Sequence, residues 1–317
     1  MKKYFIAGGL GFIGSSIVKR LLDEKSGKVI VYDNYSSGKE DHLDVYLNSS
    51  DLEIIKGDIK DLELLEEKMM GADFVYSVAS NPDISKAMVQ PDIDFWEGTY
   101  LINNVLEAMR KCKINYLIYP SGSGVYGDVG SIITDEDYSP LLPCSTYGAS
   151  KLACEALICS YCHMFDINAA AFRFANVVGP NQTHGVGYDF IRKLIDNPHE
   201  LTILGDGKQS KSYIYIDDIV DALRKVEASE MKGYSYFNVA TLDYISVTEI
   251  ADITTRIMGL ENVRYNYTGG DRGWKGDVPI VRLDTKKLRG IGWSNRYSSE
   301  QAIGMSVRSM YENIKNH

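Results

Sequence analysis

The sequence lacks the features that would take it out of the ordinary globular class. Only 8 of its 317 residues are proline, so little interrupts regular structure. No segment reaches the ~20 predominantly apolar residues that a membrane span needs, and no membrane partner is expected. Basic residues are in deficit: 34 Lys and Arg against 43 Asp and Glu give a formal net charge of −9. A surface of that sign repels phosphate backbones and anionic lipid, which argues against nucleic acid as a partner. Any anionic ligand must then be met by local basic groups. Cysteines number five (Cys112, Cys144, Cys154, Cys159, Cys162), an odd set without framework spacing. They read as reduced thiols in a cytoplasmic protein. The run Cys159-Ser160-Tyr161-Cys162-His163 matches a haem-attachment spacing, but attachment requires export and the run lies inside a helical pattern. His42, His184 and His199 are scattered, so no metal site is expected. Lys2-Lys3 and the mostly apolar stretch to Val18 superficially resemble a signal peptide. Its four glycines between Gly8 and Gly14, and its end at Lys19-Arg20 without a small-residue cleavage site, speak against that reading.

What is present is an alternation. Short β-branched and aromatic runs (Tyr4–Ala7, Val29–Tyr32, Leu52–Lys56, Phe74–Val78, Tyr116–Tyr119, Ala169–Phe174) alternate with helical patterns such as Ser15–Lys25, Leu62–Met70 and Leu101–Lys111. Strand–helix alternation implies parallel pairing with right-handed crossovers, hence an α/β fold with a doubly wound parallel sheet. After Asn176 the rhythm loosens, and turn-rich stretches separate shorter elements. A smaller mixed α/β substrate-binding region is expected there.

The first strand ends at Ala7 and runs into Gly8-Gly9-Leu10-Gly11-Phe12-Ile13-Gly14. Gly8 allows a tight turn, Gly11 lets backbone approach a pyrophosphate, and Gly14 lets the following helix pack on the strand. The amino terminus of that helix then points N–H groups at phosphate. The second strand ends in Val31-Tyr32-Asp33, and Asp33 lies 19 residues beyond Gly14. That is near the ~20 expected for a carboxylate on the adenosine ribose. A carboxylate there repels a 2′-phosphate, so the cofactor expected is NAD rather than NADP. Asp58, after the third strand, is placed to meet adenine. The expected division is a dinucleotide-binding domain over 1–176, with 236–258 returning to it, and a substrate region over 177–235 and 259–317.

Tyr147-Gly148-Ala149-Ser150-Lys151 opens a helical pattern running to about Phe165. Residues four apart share a helix face, so Tyr147 and Lys151 can act on one site. A free phenol titrates near ~10, too high for a base at neutral pH. A nearby ammonium and a cationic nicotinamide ring both favour phenolate.

With these motifs in this order, the chain resembles the extended short-chain dehydrogenase/reductase family, in its nucleotide-sugar epimerase/dehydratase branch. The resemblance covers nearly the whole length. It is carried by Gly8–Ser15, Asp33-Asn34, Asp58, Val125-Tyr126-Gly127, Tyr147 with Lys151, and Arg173-Phe174-Ala175-Asn176. Further along come Gly205-Asp206-Gly207, Tyr213–Asp218 and Gly276-Asp277-Val278-Pro279. Within the branch it is most similar to archaeal members classed as UDP-glucose 4-epimerases. The resemblance implies a Rossmann sheet and NAD contacts from Gly8, Gly11, Phe12, Ile13, Gly14, Asp33, Asn34, Ser37, Gly38, Asp58, Ile59, Ala79, Tyr147, Lys151 and Phe174. It also implies a mechanism. Tyr147 takes the proton of the sugar 4-hydroxyl as hydride leaves C4 for NAD, the 4-keto sugar turns over, and hydride returns to its other face. A nucleotide-sugar substrate, with a UDP-sugar favoured, would be held by Ser121, Ser123, Tyr147, Asn176, Lys211 and Arg272. A homodimer would form through the helices at 101–111 and 147–165, the latter presenting Leu152, Ala153, Ala156 and Leu157.

The chain departs from the family pattern in places. Where the family has a catalytic Ser or Thr, this chain has Gly122, flanked by Ser121 and Ser123. Either Ser123 substitutes for it or one catalytic group is absent. An Asn of the preceding helix aligns with Gly98, and a phosphate-binding arginine aligns with Trp274, with Arg272 and Lys275 beside it. Lys211 stands for another arginine and offers charge without a bidentate fork. The acidic residue of the dehydratases aligns with Gly124, which favours epimerisation over dehydration. Val281 aligns with the position that sets room at the sugar's C2 substituent. A reductase or dehydratase on a related sugar, and a non-catalytic NAD sensor, stay open as alternatives.

Overall fold

The chain's near-continuous apolar runs become its central strands. Residues 4–7, 29–32 and 74–77 are almost wholly withdrawn from solvent, as a sheet covered on both faces requires. The structure, a computed structural model, describes residues 1–81 and 83–316. In order, the elements of the first half are β1 (Lys2–Ala7), α1 (Phe12–Asp23), β2 (Gly27–Asp33), β3 (Leu52–Lys56), α2 (Leu62–Met69), β4 (Phe74–Ser77), α3 (Tyr100–Cys112), β5 (Tyr116–Gly122), α4 (Thr146–Phe165) and β6 (Asn168–Phe174). There follow β7 (Asn176–Val178), α5 (Val186–Asp196), β8 (Glu200–Ile203), β9 (Ser210–Lys211), β10 (Tyr213–Tyr215), α6 (Ile216–Ala228) and β11 (Tyr234–Val239). The last are β12 (Ile245–Ser246), α7 (Val247–Met258), β13 (Arg264–Tyr267), α8 (Lys286–Gly290) and α9 (Ser299–Asn316).

Seven strands form one sheet in the order β11-β6-β5-β4-β1-β2-β3. β1 pairs in parallel with both β2 and β4, and parallel pairing continues to β3 on one side and β5 on the other. The chain therefore reverses its direction of travel between β1 and β4. At such a switch point the loops leaving the strand carboxyl ends diverge and open a ligand crevice. The sheet is the doubly wound α/β arrangement expected from the alternation.

The chain divides into two compact units. The first holds Met1–Val125, Thr146–Arg173 and Val220–Phe237; the second holds Tyr126–Ser145, Phe174–Ile219 and everything from Asn238 onward. In the first, α2, α3 and α4 pack Leu65, Val105, Leu106, Met109, Cys154 and Ile158 against Phe5, Val75 and Leu117 of the sheet. Most of α6 belongs here too: Arg20 pairs with its Asp221, and Tyr4 and Tyr76 donate to its Glu227. In the second unit, Phe190 and Ile191 of α5, Ile250 and Ile253 of α7, and Ile303 and Val307 of α9 share another core.

These boundaries correct the expected division. The segment 220–235, assigned to the substrate region, supplies most of α6 to the first unit. The helix at Val247, expected to return to the sheet, packs in the second unit, where its apolar stripe meets α5 and α9.

Candidate active site

The glycine turn is shaped by close backbone approach. Gly8 has φ +85°, and a Cβ there would stand 2.7 Å from the Ala79 amide nitrogen. A Cβ on Gly14 would lie 2.1 Å from the Gly8 carbonyl oxygen, so only glycine lets α1 sit this close to the turn. Gly11 differs. Its nearest atom would be 3.5 Å away, which leaves that face of the backbone open. Gly11 is also the residue before α1, and no side chain caps the helix. The first-turn amides are therefore offered to an external anion.

Asp33 closes the far side. It is 8% exposed and accepts from the Leu10 amide at 3.0 Å and the Tyr35 amide at 2.9 Å. Asn34 donates to Asp58 at 3.1 Å, and Asp58 also accepts from the Lys60 amide at 2.9 Å. Gly38 lies against Leu10 and Asp33, Ser37 is exposed, and Ile59 is buried in the core. An open Gly11 backbone, an uncapped helix start and a carboxylate at the end of β2 fit a dinucleotide with free ribose hydroxyls. Phe174, expected among these contacts, is buried in the second unit.

The second group sits on α4. The buried residues of this helix are Gly148, Ser150, Lys151, Cys154, Glu155, Ile158 and Cys162. Two of them are charged, which burial does not normally tolerate without partners. Lys151 is 7% exposed and donates from Nζ to the Pro120 carbonyl at 2.8 Å. The same ammonium lies 5.5 Å from the Tyr147 ring centroid and 4.9 Å from that of Tyr119. Tyr147 is half-buried. Burial pushes the Cys162 thiol up to about 12, which makes it a poor metal or haem ligand.

Two of the expected sugar contacts, Ser121 and Ser123, lie at the end of β5. Ser123 opens the single helical turn Ser123–Tyr126 and is half-buried. A Cβ on Gly122 would meet nothing within 4 Å. Ser121 must be reassigned: it is 4% exposed, and its hydroxyl donates to Glu155 at 2.5 Å. Its position on β5 turns it inward, so it is not available to a sugar.

In the second unit, Lys211 pairs with Asp277 at 2.6 Å, and Arg272 pairs with Asp128 at 2.5 Å while donating to the Asp277 carbonyl at 3.0 Å. The two cations expected to meet phosphate are thus gathered around Asp277, whose other oxygen accepts from the Gly273 amide. The Asn176 side-chain amide makes a long contact, 3.4 Å, to the Ser212 carbonyl. Trp274 folds its ring over Gly276, where a Cβ would come within 2.4 Å of it.

Several supporting residues were not among the expected site residues. Asp94, 2% exposed, accepts from Asn81 at 3.0 Å and from Thr146 at 2.7 Å, and its carbonyl accepts from Ser150 at 2.6 Å. It thereby holds both neighbours of the Tyr147–Lys151 pair. A Cβ on Gly98 would strike the Ser150 hydroxyl at 2.4 Å, so that serine occupies space a longer side chain would need. The ring nitrogen Nδ1 of His42 meets the Leu10 carbonyl at 2.8 Å and braces the glycine turn. Glu155 and Arg173 form an ion pair that is 5% exposed on both sides. Of these, Glu155 stood four residues beyond Lys151 and Arg173 opened the run Arg173-Phe174-Ala175-Asn176.

Residues 4–240 match the NAD dependent epimerase/dehydratase family. A Methanocaldococcus jannaschii protein provisionally named UDP-glucose 4-epimerase is 30% identical over 97% of this chain and 98% of its own. A dTDP-D-glucose 4,6-dehydratase of Dictyostelium discoideum is 33% identical, over 79% of this chain and 61% of its own. Among solved structures, a UDP-galactose 4-epimerase superposes with a TM-score of 0.86 at 33% identity, covering 98% of this chain and 99% of that one. With its glycine turn, Asp33 and the Tyr147–Lys151 pair, the chain belongs to the NAD dependent epimerase/dehydratase family.

Proposed function

We propose that this protein is a nucleotide-sugar 4-epimerase of the UDP-glucose/UDP-galactose type. The observation that carries the reading is the buried Lys151 ammonium held between the Pro120 carbonyl and the Tyr147 ring. Tyr147 accepts the proton of the sugar 4-hydroxyl and later returns it. Lys151 stands where its charge stabilises the phenolate that would form. One of its three N–H groups is spent on Pro120, which leaves donors for ribose hydroxyls of the cofactor. When bound, NAD supplies reversible hydride acceptance at the carbon bearing that hydroxyl. Ser123 takes the place of the family's Ser or Thr as the second hydroxyl on the sugar.

The turn Gly122-Ser123-Gly124 offers no carboxylate. Elimination of water from the sugar needs an acid to protonate the leaving group, so the turn supports epimerisation over dehydration. Asn176, Lys211 and Arg272 take the diphosphate, whose oxygens replace Asp277 and Asp128 as partners of the two cations. The small side chain of Val281 supports acceptance of an N-acetylated sugar.

The test is an NMR time course of the purified protein with UDP-, dTDP-, GDP- and CDP-sugars, without added cofactor. We expect inversion at C4 of a UDP-hexose. Accumulation of a 4-keto-6-deoxy sugar, or no conversion of any sugar by protein carrying NAD, would remove the epimerase reading.

A further inference from the structure

Pro120 and Ser121 are successive residues of β5, and Lys151 and Glu155 are one turn apart on α4. The two elements meet through matched contacts. Lys151 Nζ donates to the Pro120 carbonyl at 2.8 Å, and the Ser121 hydroxyl donates to Glu155 Oε1 at 2.5 Å. Glu155 is held from a second direction by Arg173 on β6, whose Nε donates at 3.1 and 3.2 Å to the two carboxylate oxygens and whose Nη2 donates at 2.7 Å. Tyr234 adds a donor at 3.3 Å, and the Arg173 guanidinium lies 4.9 Å from the Tyr236 ring centroid.

A buried ion pair is a poor way to gain stability, because desolvation offsets the attraction and an apolar pair of equal volume would pack as well. What the charges add is direction. A planar guanidinium on a carboxylate accepts a narrow range of angles, whereas aliphatic contacts allow sliding and rotation. Tyr147, Lys151 and Glu155 are spaced by four and share one helix face, so whatever holds Glu155 also sets the rotation of α4 that aims the other two. Ser121 ties this register to the strand end that carries Pro120.

We propose that Ser121, Glu155 and Arg173 are positioning residues: their buried network locks α4 against β5 and thereby sets Lys151 and Tyr147. The proposal rests on the reading of Tyr147 and Lys151 as the catalytic pair.

Glu155→Ala takes the carboxylate away from a buried guanidinium and is at risk of not folding. The informative variant is Ser121→Ala, which removes one hydrogen bond and keeps the ion pair, with Ser121→Thr as its rescue. Acylation of Lys151 Nζ is followed by peptide mass spectrometry, with the exposed Lys208 and Lys286 as internal standards. We expect Lys151 to label about fivefold faster in Ser121→Ala, the effect of one lost hydrogen bond. The expected kcat is roughly tenfold lower, as for a slightly misplaced base, with KM within about twofold of the parent. Ser121→Thr should restore both. Unchanged labelling of Lys151 overturns the proposal whatever the turnover. A raised KM at unchanged kcat overturns it in favour of a sugar contact by Ser121. Faster labelling in a protein that epimerises no sugar leaves the clamp standing and removes the epimerase reading instead.

Discussion

At the scale of single residues, the site separates into groups with distinct duties. Tyr147 is the proposed base, and general acid–base contributions are typically 10²–10⁴-fold. Tyr147→Phe should therefore lose about 10³-fold in turnover while NAD binding, measured by fluorescence titration, stays within about threefold. Retained turnover would remove Tyr147 from the mechanism. Gly122 invites the opposite experiment. A Cβ there meets nothing within 4 Å, so Gly122→Ser should fold with a stability change within about 0.5 kcal/mol. It would restore the hydroxyl that the family pattern carries at this position, and we expect kcat to rise. Ser123→Ala should then cost more in the parent than in the Gly122→Ser background, because the added hydroxyl takes over. Equal losses would mean that Ser123 is not the substitute. The cysteines form a residue-scale contrast: Cys144 is exposed, whereas burial raises the Cys154 and Cys162 thiols. At pH 8 a thiol-alkylating reagent should modify Cys144 first and spare Cys162 in the folded protein, as read by peptide mass spectrometry.

At the scale of elements, the glycine turn and α1 are fitted by backbone contact. Gly14→Ala puts a methyl 2.1 Å from the Gly8 carbonyl oxygen, so α1 must shift away from the turn. Overpacking of this kind costs about 1–3 kcal/mol, and the shift also moves the first-turn amides. We expect a lower thermal midpoint together with at least about tenfold weaker NAD binding, since 1.4 kcal/mol is one decade. A fall in midpoint with unchanged NAD affinity would mean that these amides do not meet the phosphates. In the second unit, α7 starts with a complete capping box: Ser246 accepts from the Glu249 amide at 3.2 Å, and Glu249 accepts from the Ser246 amide at 2.7 Å. Ser246→Ala should cost about 1 kcal/mol, seen as a small drop in midpoint with NAD affinity unaltered.

At the scale of the whole molecule, we propose self-association through α3 and α4. The outward side of α4 leaves Ala156 exposed and Leu152, Ala153 and Leu157 partly exposed, and Phe95 and Trp96 beside α3 are about half exposed. Sedimentation equilibrium should return twice the chain mass, and Ala156→Arg should shift it toward one chain by burying an unpaired charge. A single-chain mass for the parent would remove the dimer. The alternation of strands and helices was enough to read the α/β class, because period and turn chemistry are local. The unit boundaries were not legible. Whether α7 lies on the sheet or beside α5 and α9 depends on which apolar stripe finds which, and that is a long-range match.

The sequence alone determined the dinucleotide turn, the acid at Asp33 and the Tyr147–Lys151 pair, because each is a short spacing whose geometry follows from one strand end or one helical turn. Only the tertiary structure decided what Ser121 does. From the sequence it stood beside Ser123 as an equal candidate for the sugar. In the fold it faces Glu155, 34 residues away in the chain, and spends its hydroxyl there. The same holds for Asp94 and Arg173, whose partners lie on other elements. A side chain's chemistry is written in the sequence, but its direction is set by the elements that pack around it.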